Sequence, residues 1–155
     1  MPVISFSQKA MRSLLAVLVV LLLCTNAWAE TRSVRVKKAN FRETPSDTAD
    51  VLFTAEQYYP VKILERKRGW ARVKDFEGEI AWVADRLLGS QKSVVIIVEK
   101  VMLRDKPRSD GAPVLEASWS DSFAVVQSQS GWLLLESASG KKGWVGVEFT
   151  WGVSP

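Results

Sequence analysis

Few residues in this chain of 155 have the types or spacing to do covalent chemistry. Histidine is absent, and the one cysteine, Cys24, lies inside an apolar run near the start. An imidazole base, a Ser-His-Asp triad, a Cys-His nucleophile and the common zinc sites all need residues that are missing. Ser139 and Lys142 have the S-x-x-K spacing of serine acyl-enzymes, but there the pair opens a helix. Here it falls in a Gly140-Lys141 turn with no S-D-N or K-T-G partner. The 17 Asp and Glu offer carboxylate pairs for sugar hydrolysis in principle. Nearly all fall in turns or alternate with bases on polar strand faces, and no pocket is evident to raise a carboxyl pKa. P-loop, dinucleotide and calcium-loop patterns are absent. The chain therefore reads as a non-enzyme, with no catalytic residue, metal ligand or cofactor.

What remains is the chemistry of recognition, carried by tryptophan and arginine. An indole buries a large apolar area and keeps one N–H donor, so it serves as a core plug or as a platform for a sugar ring or peptide. Trp70 and Trp132 each follow a turn glycine at the mouth of an expected hairpin, and both uses stay open there. Trp82 and Trp144, flanked by Val83 and Val145, read as core. Trp119 and Trp151 are possible contacts. Arg42 and Arg104 present guanidinium forks that suit a ligand carboxylate or, equally, a nearby acid or loop carbonyl. Arg66-Lys67-Arg68 reads as a solvated hairpin tip, or as a patch for acidic polymer or lipid head groups.

The elements that would position these residues begin after an address. Lys9 and Arg12 precede the eleven apolar residues Leu14–Cys24, and polar Thr25 and Asn26 lead to Ala27-Trp28-Ala29. This is the order of a secretory signal peptide, shorter than the about 20 residues that span a bilayer, so cleavage after Ala29 is favoured over retention as an uncleaved anchor. Leu21–Cys24 approximates a lipoprotein box, but Leu23 stands where a small residue is needed. Cleavage after Ala29 leaves 126 residues, no cysteine and no stable membrane anchor. An exported chain without disulfides fits a periplasm or cell envelope. The net charge also falls from +4 to +2, because Lys9 and Arg12 leave, and this argues against a nucleic-acid partner.

The remainder repeats itself. Arg42 and Pro45 match Arg104 and Pro107 at an offset of 62, as do Gly69-Trp70 and Gly131-Trp132, Gly78 and Gly140, and Trp82-Val83 and Trp144-Val145. Between them, Ala49-Asp50-Val51-Leu52 matches Ala112-Pro113-Val114-Leu115 if one residue is inserted. Two units follow, 31–89 and 91–155. Apolar residues alternate at Val34 and Val36, at Val61 and Ile63, and at Val94, Ile96 and Val98, the period of half-buried strands. No stretch after residue 30 keeps helical spacing for three turns. The fold class is all-β, with one small barrel per unit. About 60 residues is near the lower limit for a core without disulfides, so each unit is expected to lean on its neighbour.

At these residues the chain resembles the bacterial Src-homology-3 family, whose pattern is (N/L)-x-R-x-x-P-S, then Gly-Trp, then Gly-x-x-Gly-Trp-Val. Asn40–Ser46, Gly69-Trp70 and Gly78–Val83 supply it once; Leu103–Pro107, Gly131-Trp132 and Gly140–Val145 supply it again. Ala81 departs from the pattern in the first copy and Met102 in the second. The resemblance implies two tandem SH3-like barrels with ligand grooves at Trp70 and Trp132, and Arg42 and Arg104 nearby to fix the ligand's charge. It implies an exported binding protein for peptidoglycan or its stem peptide. The alternative is a periplasmic protein-interaction module for extended peptides.

Overall fold

Period-two alternation becomes strand wherever one face can be buried. In the computed structural model, which describes residues 30–153, β1 (Thr31–Val34), β2 (Lys38–Arg42), β3 (Val51–Glu56), β4 (Pro60–Lys67), β5 (Trp70–Lys74), β6 (Ile80–Ala84) and β7 (Leu88–Gly89) form one antiparallel sheet. Its order is β3-β2-β6-β5-β4-β1-β7. Residues 1–29, read above as a signal peptide, lie outside the described residues.

A second sheet holds β8 (Ser93–Ile96), β9 (Lys100–Arg104), β10 (Pro113–Ser118), β11 (Ser122–Gln129), β12 (Trp132–Glu136), β13 (Lys142–Gly146) and β14 (Thr150–Trp151). Its order, β10-β9-β13-β12-β11-β8-β14, repeats the first. Short 3₁₀ turns at Asp85–Leu87 and Val147–Phe149 precede β7 and β14, and the described residues contain no α-helix. The ladders end at β3 and β7, and at β10 and β14, so neither sheet closes by hydrogen bonding.

Every strand boundary in the second sheet lies 62 residues after its counterpart. The inserted residue expected near Ala112 is therefore not there. Arg42 faces Val51, and Arg104 faces Pro113, in the same register. Gly111, not Ala112, corresponds to Ala49. A Cβ at Gly111 would stand 3.0 Å from the Asp105 carboxylate and 3.1 Å from the Lys106 carbonyl, a crowding that favours glycine where the first unit has Ala49.

Four bulges bend the strands. The β2–β3 register slips at Leu52 and the β4–β5 register at Leu64; the β9–β10 and β11–β12 ladders slip at Val114 and Val126. A bulge leaves its extra residue unpaired and turns the strand. All four of these residues are exposed apolar side chains, which accounts for them without invoking a docking patch.

Inside the first sheet, Val34, Phe41, Val61, Val73 and Val83 are fully buried. Phe41 stacks on Phe53 at 4.6 Å and meets the edge of Tyr59. The second core is built from Val94, Ile96, Leu103, Phe123, Leu133, Leu135 and Val145. Strand β8 departs from the expected half-buried pattern, because all four of its residues are buried. Val94 and Ile96 enter the second core while Val95, on the other face, completes the first.

The contact between units is aromatic. Phe76, in the β5–β6 loop, meets Trp119 edge-on at 5.3 Å and Trp151 at 6.5 Å, and Tyr59 touches Phe76 from behind. Lys62 Nζ lies 5.3 Å from the Trp151 ring centre, a cation–π contact. Ser33 Oγ donates to the Gln91 carbonyl at 2.8 Å. Gly152, at φ +135, fits where a Cβ would stand 2.5 Å from the Ser93 carbonyl oxygen. Trp119 and Trp151, which had no repeat partner, are thus interface residues.

Because Val95 is shared, Val95→Ala should destabilise the whole molecule by about 2 kcal/mol. Urea unfolding followed by tryptophan fluorescence and by far-ultraviolet circular dichroism should give one coincident transition, shifted to lower urea. Two separate transitions would show that the units fold independently.

Candidate functional site

The outer surface of the first sheet is set by the same alternation that makes its core. Ala39 and Phe41 point inward on β2, Ala71 and Val73 on β5, and Ala81 and Val83 on β6. Lys38, Asn40 and Arg42, Trp70 and Arg72, and Trp82 are left on the outer face. Arg42 lies opposite Trp82, Arg72 opposite Trp82 on its other side, and Trp70 opposite Ala84.

Trp82 and Trp144 are consequently not core residues. Each is half-buried on the outer face, because Val83 and Val145 take the inward positions. The valines beside them signalled a buried strand, but the strand's period puts tryptophan and valine on opposite faces.

A groove of about 280 Å³ runs over this face and brings two predicted residues together. Trp70 and Arg42 line it with Lys38, Asn40 and Arg86, and Asp47 from the β2–β3 loop is its acid. Trp132 and Arg104 occupy the equivalent places on the second sheet, with Trp132 opposite Gly146 and Arg104 opposite Trp144.

Both arginines have a structural role as well. Arg42 Nη1 donates to the Ala49 carbonyl at 2.6 Å, and Arg104 Nη1 to the Gly111 carbonyl at 2.7 Å. Each guanidinium thereby closes the loop after its strand, and its remaining donors are not committed to that bond. Within the basic run, Arg66 pairs with Glu30 and Asp85. Hydrogen bonds from Arg66 and then Arg32 hold the Glu30 carboxyl below the usual carboxylate range. Lys67 ends β4 opposite Trp70, and Arg68, at φ +49, forms the turn with Gly69.

A larger cleft, about 620 Å³, opens between the units and away from the predicted residues. Tyr59 and Glu56 line one side, and Trp119, Asp121 and Phe123 the other. Trp119 is 48% exposed there. In sequence, the failure of Trp119 to match its repeat counterpart, Gln57, was the available signal. The loop carrying Phe76 to this region is held by Asp75, which is buried and accepts from Tyr59 Oη at 3.1 Å and from the backbone N–H of Glu77 and Glu79. Burial, reinforced by the Asp75 carboxylate, pushes the Tyr59 hydroxyl far above its ordinary pKa of 10.0. Among the described residues no cluster of acids and thiols is placed to hold a metal ion, and no helix is long and apolar enough to cross a membrane.

Two measurements check this geometry. Arg42→Ala should cost about 2 kcal/mol in urea unfolding, since it strands a carbonyl and removes a charged donor. Arg104→Ala should cost a similar amount. For Tyr59, the neutral form is favoured in the folded state, so its contribution is complete below pH 10.0 and declines above it, as only the unfolded chain ionises. Tyr59→Phe should therefore show a shallower loss of stability than the parent as pH rises above 10.0.

Residues 37–89 match the family described as bacterial SH3 domain. No curated protein matches the chain at a significant level. Among solved structures the chain is similar to an NlpC/P60 family protein from Bacillus cereus ATCC 10987, with 13% identity over 79% of this chain and 56% of that one and a TM-score of 0.39. It is also similar to NlpC1 from Trichomonas vaginalis, with 14% identity, coverage of 81% and 47%, and a TM-score of 0.34. The chain spans about half the length of these structures. The matched segment runs from the start of β2 through β7 and contains both Arg42 and Trp70. Residues 37–89 form a bacterial SH3 domain.

Proposed function

We propose that this is an exported, non-enzymatic binding protein in which two SH3-like units, 31–89 and 91–155, hold a cell-envelope ligand, peptidoglycan or its stem peptide. The observation that supports it most is the convergence of Trp70 and Arg42 on one groove within the segment that matches the bacterial SH3 family. Tryptophan supplies a flat apolar platform, while guanidinium and ammonium groups fix a carboxylate. A second unit on the same chain adds avidity if both engage. Export through cleavage after Ala29 would place the protein in the periplasm or envelope.

A second reading, a docking module for an extended peptide of another protein, is favoured by the sheet edges. Strands β3 and β10 are unpaired on one side, and Val51 on β3 is exposed beside its edge. Such edges accept an added strand.

Protein purified after expression of the full chain should co-sediment with insoluble peptidoglycan. Trp70→Ala combined with Trp132→Ala should lower retention at least about tenfold, as expected for loss of stacking anchors. Retention unchanged in the double variant would sink the site assignment, and no retention of the parent would favour the docking module.

A further inference from the structure

The constant offset of 62 allows the two outer faces to be compared position by position. On β2, Lys38, Asn40 and Arg42 correspond to Lys100, Met102 and Arg104 on β9. On β5, Trp70, Arg72 and Lys74 correspond to Trp132, Leu134 and Glu136 on β12. Ile80, Trp82 and Ala84 on β6 become Lys142, Trp144 and Gly146, and Arg86 becomes Glu148. Over these ten positions the first face carries five bases and no acid, whereas the second carries three bases and two acids.

Pairing widens the contrast. On the second face Lys142 pairs with Glu136 at 3.1 Å, and Lys100 with Glu116 at 3.0 Å. On the first, Arg72 has a loose partner in Glu65 at 3.9 Å, and Lys38, Arg42 and Arg86 have no ion pair among the described residues.

The sharpest difference lies beside the tryptophans. Gly146 is opposite Trp132, and a Cβ on it would stand 2.5 Å from both carboxylate oxygens of Glu148. Opposed residues in an antiparallel ladder project to the same face. The Glu148 carboxylate therefore crowds, next to Trp132, the position that the Ala84 methyl holds next to Trp70.

Resting on the reading of the Trp70 groove as a ligand site, we propose that this groove takes the carboxylate of an acidic peptide segment, and that Glu148 closes the equivalent second groove to anions. Charge complementarity selects the sign of the ligand. Asp47 and Asn40 select its kind, because both accept an amide N–H, which a peptide supplies beside its carboxylate. Glu148 is thus a specificity-determining residue, and the unit that matches the family is the one that binds anions.

The test is a titration of the purified protein with an N-acetylated, C-amidated Ala-Glu-Ala tripeptide, its equally blocked Ala-Lys-Ala analogue and inorganic phosphate, read from the indole N–H resonances of Trp70 and Trp132. The acidic tripeptide should shift Trp70 saturably and leave Trp132 unmoved, and neither other probe should do so. Arg86→Glu should weaken binding at least about tenfold. Glu148→Arg should make Trp132 respond, and Glu148→Gln, which keeps shape, should give a weaker response in the same direction. An equal or larger response of Trp132 in the parent overturns the proposal, as does unaltered affinity in Arg86→Glu or a stronger response to phosphate. In the sedimentation assay, Trp70→Ala alone should abolish retention and Trp132→Ala should not. If only the double variant loses retention, wall binding stands and the asymmetry fails. If the parent is not retained, wall binding fails and the titration still decides the asymmetry.

Discussion

Burial of Val95 within the core of the first unit, while its neighbours Val94 and Ile96 fill the core of the second, is the contact on which the molecule depends. A unit of about 60 residues buries too little surface to be secure alone, and neither unit has a disulfide to make up the difference. Using both faces of one short strand is an economical answer. It requires β8 to be apolar throughout, and Ser93-Val94-Val95-Ile96 nearly is. It also fixes the geometry between the units, since β7 and β8 are joined by residues 90–92 alone and Ser33 clasps that joint through Gln91.

The two sheets share a backbone and differ where they meet and where they face outward. Phe76, Trp119 and Trp151 form the interface, and their counterparts are Ala138, Gln57 and Gly89. A head-to-tail contact between equivalent units uses a different surface of each, so the aromatic residues need to arise only once on each side. The outer faces diverged in charge instead. There Arg42 and Arg104 each close a loop in the same way, while the surrounding positions differ in sign.

Much of this was legible in the sequence, for physical reasons. Period-two alternation reports half-burial directly, and the turn glycines Gly69 and Gly131, at φ of +83 and +82, mark positions that other residues tolerate poorly. Arg42 and Trp70 could be named from the repeated pattern, but their meeting in one groove depends on β6 lying between β2 and β5, an order that local sequence does not encode. Strand β8 was misread because alternation describes one partner face and this strand has two. Trp82 and Trp144 were misplaced because size and apolarity were weighed above the parity of their neighbours. The sequence alignment of the two units is displaced at Ala112 because that alanine matches Ala49 by type, whereas Gly111 is set by the close approach of Asp105 and Lys106. Glu148 could not be placed from sequence at all, since its position over Gly146 depends on the 3₁₀ turn that folds it back.

The pairing of the first and last strands in each unit bears on how the protein would respond to tension. Ser33 lies opposite Gly89 and Val34 opposite Leu88, while Thr150 lies opposite Ile96 and Trp151 opposite Val95. In both units the incoming and outgoing ends of the chain therefore leave from the same end of an antiparallel pair. A load applied through those ends peels the strands apart one hydrogen bond at a time, instead of shearing the whole set together. Peeling needs little force per step, so a unit caught between two anchored structures would pay out chain as its strands unzip.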